Sequence, residues 1–375
     1  MSLQFITGGS GAGKSEYLSR LVCEESVRRP HDNFIVVVPE QYTMETQKKL
    51  VHMHSRKGIL NIDVVSFERL AYKVFEELGG GNRPVLDDTG KNLIVRRVLE
   101  KEKKKLDYFG SSIEKTGFVS ELKSVISELL QYGITPQQLG EIGENVKEKQ
   151  QLSAKLKDIR LVYKEFMAFL STNYITSEEI LDVLCGLVEK SKLIAGSEII
   201  FDGFTGFTPI QYKLMRLLLV YSKGIKISVT IDKKERPTGH EGWNNLFFMS
   251  KEMMNRLIAI CEEEGINVDD TVCVDRDINY RYEGAKDLAY LERNLFRYKG
   301  GVYTGTPENI RIYEGSNPKE ELQYIVSEIL QLTRKEGFRY RDIAVVTADL
   351  ETYGKVAANM MKQNDIPAFL DYKRS

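Results

Sequence analysis

The sequence predicts an α/β fold with a parallel sheet, a helical subdomain inserted into that sheet, and the beginning of a second α/β domain. Two observations predict it. Strand and helix signals alternate in residues 1–80 and again after residue 195, whereas long amphipathic helices alone occupy the residues between them. We therefore expect one domain from residues 1–80 plus 195–305, an inserted subdomain from 81–194, and the start of a second domain in 306–375.

Alternating elements in the first domain support the sheet. The predicted elements are strands at residues 3–7, 34–38, 62–66, 199–202 and 225–231, and helices at 16–27, 43–52, 67–78 and 209–221. The apolar run at 34–38 has no polar alternation, which is typical of a parallel strand that is buried on both faces. We therefore expect these strands to lie in one buried sheet.

The inserted part and the end of the chain have different patterns. In the insertion the pattern predicts helices alone, at residues 87–103, 116–132, 150–170 and 177–190. Residues 233–308 are mixed and charged and give no clear prediction. The last block predicts strands at 310–313 and 343–346 and helices at 318–335 and 350–362. Residues 366–371 resemble the beginning of another strand, which indicates a fragment of a longer protein.

A glycine-rich loop between the first strand and the first helix matches the phosphate-loop pattern G-x-x-x-x-G-K-[ST]. The loop consists of Gly8, Gly9, Ser10, Gly11, Ala12, Gly13, Lys14 and Ser15. Its glycines let backbone N–H groups face phosphate oxygens, and the helix dipole adds to the attraction. In this pattern Lys14 reaches the β- and γ-phosphates and Ser15 offers its hydroxyl to Mg²⁺. We expect a nucleotide site here, the alternative being a glycine-rich turn with an accidental lysine.

A phosphate loop needs a second strand that ends in a carboxylate, and Asp202 is the best candidate. It follows the apolar residues 199–201 and would hold Mg²⁺ if that strand lies near the loop. A hydrolysing motor carries a glutamate after this aspartate, but here the next residue is Gly203. The sequence therefore predicts binding of Mg-ATP with slow hydrolysis or none. A simple strand-end turn is the alternative for Asp202. Asp232, at the end of the predicted strand at 225–231, could also face the nucleotide, but the role of a loop-start aspartate is favoured there.

The composition excludes several classes of protein. The 375 residues include 53 Lys and Arg and 54 Asp and Glu, so the net charge of −1 neither requires nor excludes nucleic acid. The four cysteines are scattered without a C-x-x-C pair, which argues against a zinc or iron–sulfur site and favours reduced thiols. No apolar run is long enough for a membrane span, and the loop occupies the place of a signal peptide. We expect a cytoplasmic protein without membrane contact.

Four segments together resemble one known family. They are the loop at residues 8–15, Val-Pro-Glu-Gln at 38–41, Val-Val-Ser-Phe at 64–67, and Phe-Asp-Gly-Phe-Thr-Gly-Phe-Thr-Pro at 201–209. Along its whole length the chain resembles the first part of the AddB family, the B subunits of bacterial AddAB helicase–nucleases. The resemblance implies a P-loop NTPase fold. This is a RecA-like, superfamily-1 helicase-like core with an inserted helical subdomain and the start of a second RecA-like domain.

The resemblance also implies a function. Members of the family form a heterodimer with an AddA-type motor subunit and process double-stranded DNA ends for recombinational repair. Their helicase-like half is regarded as a degenerate motor that binds ATP and Mg²⁺ and helps to recognise the Chi sequence on single-stranded DNA. A nuclease domain with a 4Fe–4S cluster held by cysteines would lie outside these residues.

The resemblance assigns site residues position by position. Lys14, Ser15 and Asp202 match the lysine, hydroxyl and aspartate that bind Mg-ATP. Residues that fall at DNA-contacting positions, or that could stack on bases, are Gln41, Tyr42, Ser66, Phe67, Arg69, Phe204 and Phe207. A core position is the default for Phe67, because phenylalanines are usually buried. Besides the missing glutamate, Ala348 stands where a phosphate-sensing arginine is usual, which weakens the role of a motor.

Three other functions stay open. An active helicase would hydrolyse ATP under stimulation by single-stranded DNA, in spite of Gly203. A small-molecule or nucleotide kinase would carry an arginine-rich lid, and the sequence shows no such arginine cluster. An interaction module whose loop is a relic would have no measurable affinity for Mg-ATP.

Overall fold

A parallel sheet of seven strands lies at the centre of the first of two structural units. The units are Met1–Gly284 and Ala285–Ser375. The computed structural model describes residues 1–79, 84–115, 117–146, 149–176, 179–236, 238, 242–297 and 300–371. The α/β fold class with a parallel sheet is confirmed. The domain boundaries expected from the sequence stay a prediction.

Five strands of the large sheet come from apolar runs in the sequence. Among the described residues the strands are β1 (Ser2–Gly8), β2 (Asn33–Val37), β3 (Ile62–Val65), β4 (Val85–Leu86), β5 (Ile175–Thr176), β6 (Ser197–Phe201), β7 (Gly224–Thr230), β8 (Asn267–Val268) and β9 (Val272–Cys273). The order is β3–β2–β6–β7–β1–β8, with β9 also paired with β1, and all these pairs are parallel. The five strands predicted for the first domain are confirmed. Because parallel strands end at one edge, the loop after β1 and the loop after β6 lie at the same edge.

Helices account for most of the remaining regular structure. The first unit contains α1 (Lys14–Arg28), α2 (Thr43–Met53), α3 (Phe67–Leu78), α4 (Asp88–Glu102), α5 (Phe118–Gln131), α6 (Pro136–Asn145), α7 (Gln150–Asn173), α8 (Ile180–Cys185), α9 (Lys192–Ala195), α10 (Pro209–Tyr221) and α11 (Phe248–Glu264). The second unit contains α12 (Lys286–Asn294), α13 (Pro318–Lys335) and α14 (Leu350–Gln363). In the described part of the chain, no helix combines the length and the apolar character needed to cross a membrane.

Alternate residues of the strands face two separate cores. Ile35 and Val37 of β2 belong to the core that includes residues of α3, α8, α10 and α11. Phe34 and Val36 belong to the core formed with α1 and α2. Successive side chains of a strand point to opposite faces, so helices cover both faces of the sheet. The strand ends, and not the strand faces, are therefore the places where a ligand can approach.

The inserted subdomain is mainly helical but contains more than the sequence predicted. Residues of α4, α5 and α7 share a core that includes Val162 and Phe166. β4 pairs with β5 in a separate two-stranded sheet, so the prediction of helices alone is wrong there. The sequence did not predict α6, because Gly140 and Gly143 lower its helical signal. The capping box at Thr135 is the signal that could have revealed α6.

The second unit forms its predicted helices but not its predicted strands. α13 and α14 agree with the predicted helices and share a small core of Val326, Ile329, Met361 and Ile366. Residues 310–313 and 343–346 pair with no described segment, so these two strand predictions are wrong for this structure. A strand needs a hydrogen-bonded neighbour to be stable in water. Without one, Ile312 is 94% exposed and Val346 is 90% exposed.

An ion-pair cluster joins α1, β6 and β7 in the first unit. The buried carboxylate of Glu198 accepts hydrogen bonds from the Arg29 guanidinium and from the Lys226 ammonium. Burial alone would raise the pKa of Glu198, but the hydrogen bonds and charges of the two cations outweigh it and lower that pKa. Arg29 also pairs with Glu25 and Asp32. The charge of Glu198 therefore stabilises the fold.

Glu198→Gln is expected to lower the free energy of unfolding by about 2 kcal/mol at neutral pH. The reason is that Arg29 and Lys226 would then face a neutral amide in place of a carboxylate, and hydrogen bonds between charged groups are the stronger ones. A carboxylate with a lowered pKa stabilises the folded state above its unfolded pKa of about 4.3, and this contribution is lost as the pH falls through the folded value. The free energies of unfolding of the wild type and the variant, measured with urea, should therefore differ less at pH 3 than at pH 7. An equal difference at both values would contradict the role of charge. Glu189→Gln, at an exposed position, is the control.

Candidate functional site

The strands β1, β6 and β7 end beside a cavity of about 400 Å³. Its walls come from the glycine loop, the loop after β6, the end of β7, Lys49 of α2, and Arg281. The predicted site residues that line it are Ser10, Gly11, Gly13, Lys14, Ser15, Asp202 and Phe204. The other predicted loop residues, Gly8, Gly9 and Ala12, do not line it. A cavity of this size lies in the range of small-molecule sites.

Two glycines of the predicted phosphate loop have backbone angles that other residues rarely adopt. Gly11 and Gly13 have φ angles of 76° and 95°, a region that glycine adopts without strain. α1 follows Gly13 directly, and among the described residues no side chain caps this end of the helix. The helix dipole and the first N–H groups of α1 are therefore directed toward the cavity. The Lys14 ammonium donates to the carbonyl oxygens of Gly8 and Gly9, both at 2.9 Å.

A segment that follows β9, residues 274–283, lies against the glycine loop. The Asp275 carboxylate accepts from the backbone N–H of Gly9 at 3.0 Å and from that of Lys233 at 2.9 Å. Lys233 belongs to the loop after β7. Asp275 therefore holds the beginning of the glycine loop beside the end of β7.

Two further residues of the 274–283 segment contact the loop. The Arg281 guanidinium donates to the Ser10 hydroxyl at 3.1 Å, and the Arg281 N–H donates to the Gly11 carbonyl at 3.3 Å. A Cβ on Gly11 would lie 2.4 Å from the Cβ of Arg281, so close approach as well as φ requires glycine there. The ring of Tyr280 lies 3.3 Å from the place where Gly13 would carry a Cβ. The segment thus adds a cation to the lining of the cavity and places an aromatic ring beside Gly13.

Sequence reasoning missed Asp275, Tyr280 and Arg281. They lie in the region that gave no clear prediction. They are also far in sequence from their partners: Asp275 is 266 positions from Gly9, and Arg281 is 271 positions from Ser10. No local pattern could have found them, because the pairing of β9 with β1 brings them to the loop.

Asp202 lies directly after β6, and its side chain is held by the neighbouring strand. The Ser228 hydroxyl donates to Asp202 Oδ1 at 2.5 Å, and the Gly203 N–H donates to Ser228 Oγ at 3.3 Å. Gly203 has a φ of 84°. In a hydrolysing motor this position carries a glutamate that orients water. In this chain the backbone conformation at the same position favours glycine.

Some of the residues predicted to contact DNA are exposed and some are buried. Gln41 and Tyr42 are exposed before α2, and Arg69 is exposed in the first turn of α3. Arg69 pairs with Glu40 at 2.9 Å, which holds the two segments together. Ser66 is buried, and its hydroxyl caps α3 by accepting from the Arg69 N–H. The structure thus brings Gln41, Tyr42 and Arg69 to one edge of the first unit.

The predicted phenylalanines form an aromatic cluster. The ring centroid of Phe67 lies 5.4 Å from that of Phe204 and 6.0 Å from that of Phe207. Phe201 of β6 also contacts this cluster, at 5.6 Å from Phe67. Phe67 is 7% exposed, whereas Phe204 and Phe207 are half-buried. The default core position of Phe67 is confirmed, and contact of these rings with DNA stays a prediction.

The fold and the cavity define the chain first as an α/β protein with a cavity at the carboxyl edge of a parallel sheet. Residues 5–292 match the family described as ADDB, N-terminal, and the chain belongs to this family. The resemblance seen in the sequence is therefore confirmed.

Relatives named as the B subunits of ATP-dependent helicase/deoxyribonucleases match this chain along its whole length. The relative from Lachnoclostridium phytofermentans is 42% identical, and this chain covers 33% of it. Those from Caldanaerobacter subterraneus and Clostridium kluyveri are 36% and 34% identical, and the chain covers 32% of each. The chain spans about a third of the length of these relatives.

Proposed function

We propose that the chain is the nucleotide-binding, helicase-like part of the B subunit of a heterodimeric ATP-dependent helicase–nuclease. In this proposal it binds Mg-ATP, hydrolyses it slowly or not at all, and binds single-stranded DNA while double-stranded ends are processed for recombinational repair. One observation carries it: Lys14, Ser15 and Asp202 line one cavity, with Gly203 at the water-orienting position. The names of the relatives support the place in a helicase–nuclease.

The donors around the cavity fit the phosphates of a nucleotide. The N–H groups that begin α1, the Lys14 ammonium and the Arg281 guanidinium are suited to phosphate oxygens, and a guanidinium can donate to two oxygens at once. Asp202 and Ser15 would supply oxygen ligands for Mg²⁺, which is usually held by one or two carboxylates plus the phosphates of the substrate. Tyr280 lies beside the loop, is 59% exposed, and has the Arg276 guanidinium over its ring at 4.1 Å from the centroid, so a nucleotide base would stack on the opposite face of the ring.

Slow hydrolysis is expected because the described residues beside Asp202 offer no free carboxylate to orient water. Gly203 has no side chain that could accept a proton or orient water. Among the described residues that line the cavity, the carboxylates are those of Asp202 and Glu16. Asp202 accepts from Ser228, and Glu16 pairs with Lys49 at 3.1 Å. Both carboxylates therefore already have partners that compete with a water molecule.

Single-stranded DNA is proposed to bind beside the exposed residues Gln41, Tyr42 and Arg69. An aromatic ring and a guanidinium stack on unpaired bases, and an amide can hydrogen-bond to base edges. Contacts of this kind would let the helicase-like part recognise a short sequence such as Chi. An AddA-type partner subunit would supply the movement along DNA.

Other parts of the proposal concern the longer protein. In the second unit, α13, α14 and residues 343–347 line an apolar cavity of about 850 Å³, and Phe369 is 91% exposed. Further strands of a second RecA-like domain would cover this apolar surface. The nuclease chemistry and the 4Fe–4S cluster are proposed for the additional length that the relatives have. The cytoplasm is the proposed compartment, since the four cysteines are free thiols.

Titration calorimetry with Mg-ATP, together with phosphate release in the presence and absence of single-stranded DNA, tests the function of the chain. We expect saturable binding of Mg-ATP and slow phosphate release that DNA does not stimulate. Absence of binding would favour an interaction module with a relic loop. DNA-stimulated release would favour an active helicase, and transfer of phosphate to a nucleoside monophosphate would favour a kinase.

A further inference from the structure

One cation in the nucleotide cavity belongs neither to the glycine loop nor to the 274–283 segment. Lys49 lies on α2, lines the cavity and has a side chain that is 33% exposed. Its ammonium lies 3.1 Å from Oε2 of Glu16, which follows Ser15 in the first turn of α1. Neither Lys49 nor Glu16 is part of the phosphate-loop pattern.

The strand order decides from which side Lys49 enters the cavity. α2 follows β2, and β2 is the neighbour of β6 on the side away from β7 and β1. Arg281 enters from the opposite side, because β9 precedes it and pairs with β1. Lys49 therefore reaches the cavity from the side of Asp202, and Arg281 reaches it from the side of Ser10.

The side of Asp202 is where the last phosphate of a nucleoside triphosphate is expected. An aspartate in this place would hold Mg²⁺ beside the last phosphates of the nucleotide. An ammonium carries three donors on a flexible stem, and the pair with Glu16 needs one of them. Lys49 can therefore keep its contact with Glu16 and also donate to a phosphate oxygen.

We propose that Lys49 is a second ammonium contact for the γ-phosphate and makes the site prefer ATP over ADP. This inference rests on the proposed function, because it requires that the cavity binds Mg-ATP. Lys49 also offsets the charge of Glu16, which by itself would repel phosphates beside Ser15. The loop backbone holds the β-phosphate of either nucleotide. Loss of Lys49 should therefore weaken ATP binding and leave ADP binding nearly unchanged.

The test compares Kd values for Mg-ATP and Mg-ADP, measured by titration calorimetry on the full chain. Lys49→Ala should weaken Mg-ATP binding about tenfold, which corresponds to one hydrogen bond to a charged group, and Mg-ADP binding by less than about twofold. Lys49→Arg keeps the cation and should keep the preference for ATP. Lys48→Ala removes a neighbouring lysine that does not line the cavity, and it is the matched control. If thermal unfolding shows that Lys49→Ala is destabilised, Lys49→Gln is used in its place, because glutamine keeps most of the length of the side chain.

A double variant separates donation to phosphate from compensation of Glu16. Lys49→Ala combined with Glu16→Gln should stay about tenfold weaker for Mg-ATP than Glu16→Gln alone. Full recovery would show that Lys49 only compensates Glu16, and this would overturn the inference. Equal effects on ATP and ADP, or no effect, would also overturn it, although Mg-ATP binding by the wild type would still support the proposed function. A wild-type chain that binds neither nucleotide would overturn both.

Discussion

Lys14→Ala is expected to weaken Mg-ATP binding at least about a hundredfold, while DNA unwinding by the proposed complete heterodimer stays unchanged. The Lys14 ammonium makes two charged hydrogen bonds within the loop, and in the nucleotide complex these donors would serve phosphate oxygens. Because Gly203 leaves no group to orient water, the energy for unwinding is expected to come from the partner subunit. The variant should therefore change the length of the DNA fragments but not the unwinding rate.

Calorimetry on the chain measures the loss of affinity, and unwinding and fragment length are measured with Lys14→Ala in this subunit only. Lys104→Ala, at an exposed position of the inserted subdomain, is the control for loss of a lysine. The heterodimer must stay assembled, which size-exclusion chromatography verifies. If unwinding collapses in an intact heterodimer, this subunit is a motor, and another group must orient the water.

Gly203→Glu is expected to lower the free energy of unfolding by about 1–2 kcal/mol and to hydrolyse ATP no faster than the wild type. The φ of 84° strains any residue with a Cβ. A Cβ there would lie 3.5 Å from Pro39 Cδ, an ordinary contact, so the cost comes from the backbone. Relief of this strain would move the Gly203 N–H away from Ser228, whose hydroxyl also holds Asp202. The substitution therefore disturbs the proposed Mg²⁺ ligand instead of adding a base.

Gly203→Ala separates the strain of the backbone from the effect of the new carboxylate. Urea unfolding should show the same decrease in the free energy of unfolding, relative to the wild type, for Gly203→Ala and Gly203→Glu. Gly133→Ala is a second reference for strain, because Gly133 has a φ of 68° and a Cβ there would meet no described atom within 4 Å. Phosphate release with single-stranded DNA then measures activity. If only Gly203→Glu releases phosphate faster, the site lacks nothing but a carboxylate, and the account of its backbone is wrong.

Local patterns predict the elements of the first unit where capping and packing agree. α3 and α10 coincide with their predicted bounds, because Ser66 and Thr208 cap them and apolar residues repeat along them. The short β4–β5 pair has too few residues to produce a period. The segments 310–313 and 343–346 have the residues of strands, but a strand also needs a neighbour, and local sequence cannot supply one.

Residue types at fixed spacings were enough to predict the glycine loop, the position of Asp202 beside it, the glycine that follows Asp202, and the family. The side chains that surround the loop could be found only in the folded chain. Asp275 and Arg281 reach it through the pairing of β9 with β1, and Lys49 reaches it because α2 lies beside α1. Such contacts depend on strand order and helix packing over long sequence separations, and no local period or motif encodes them.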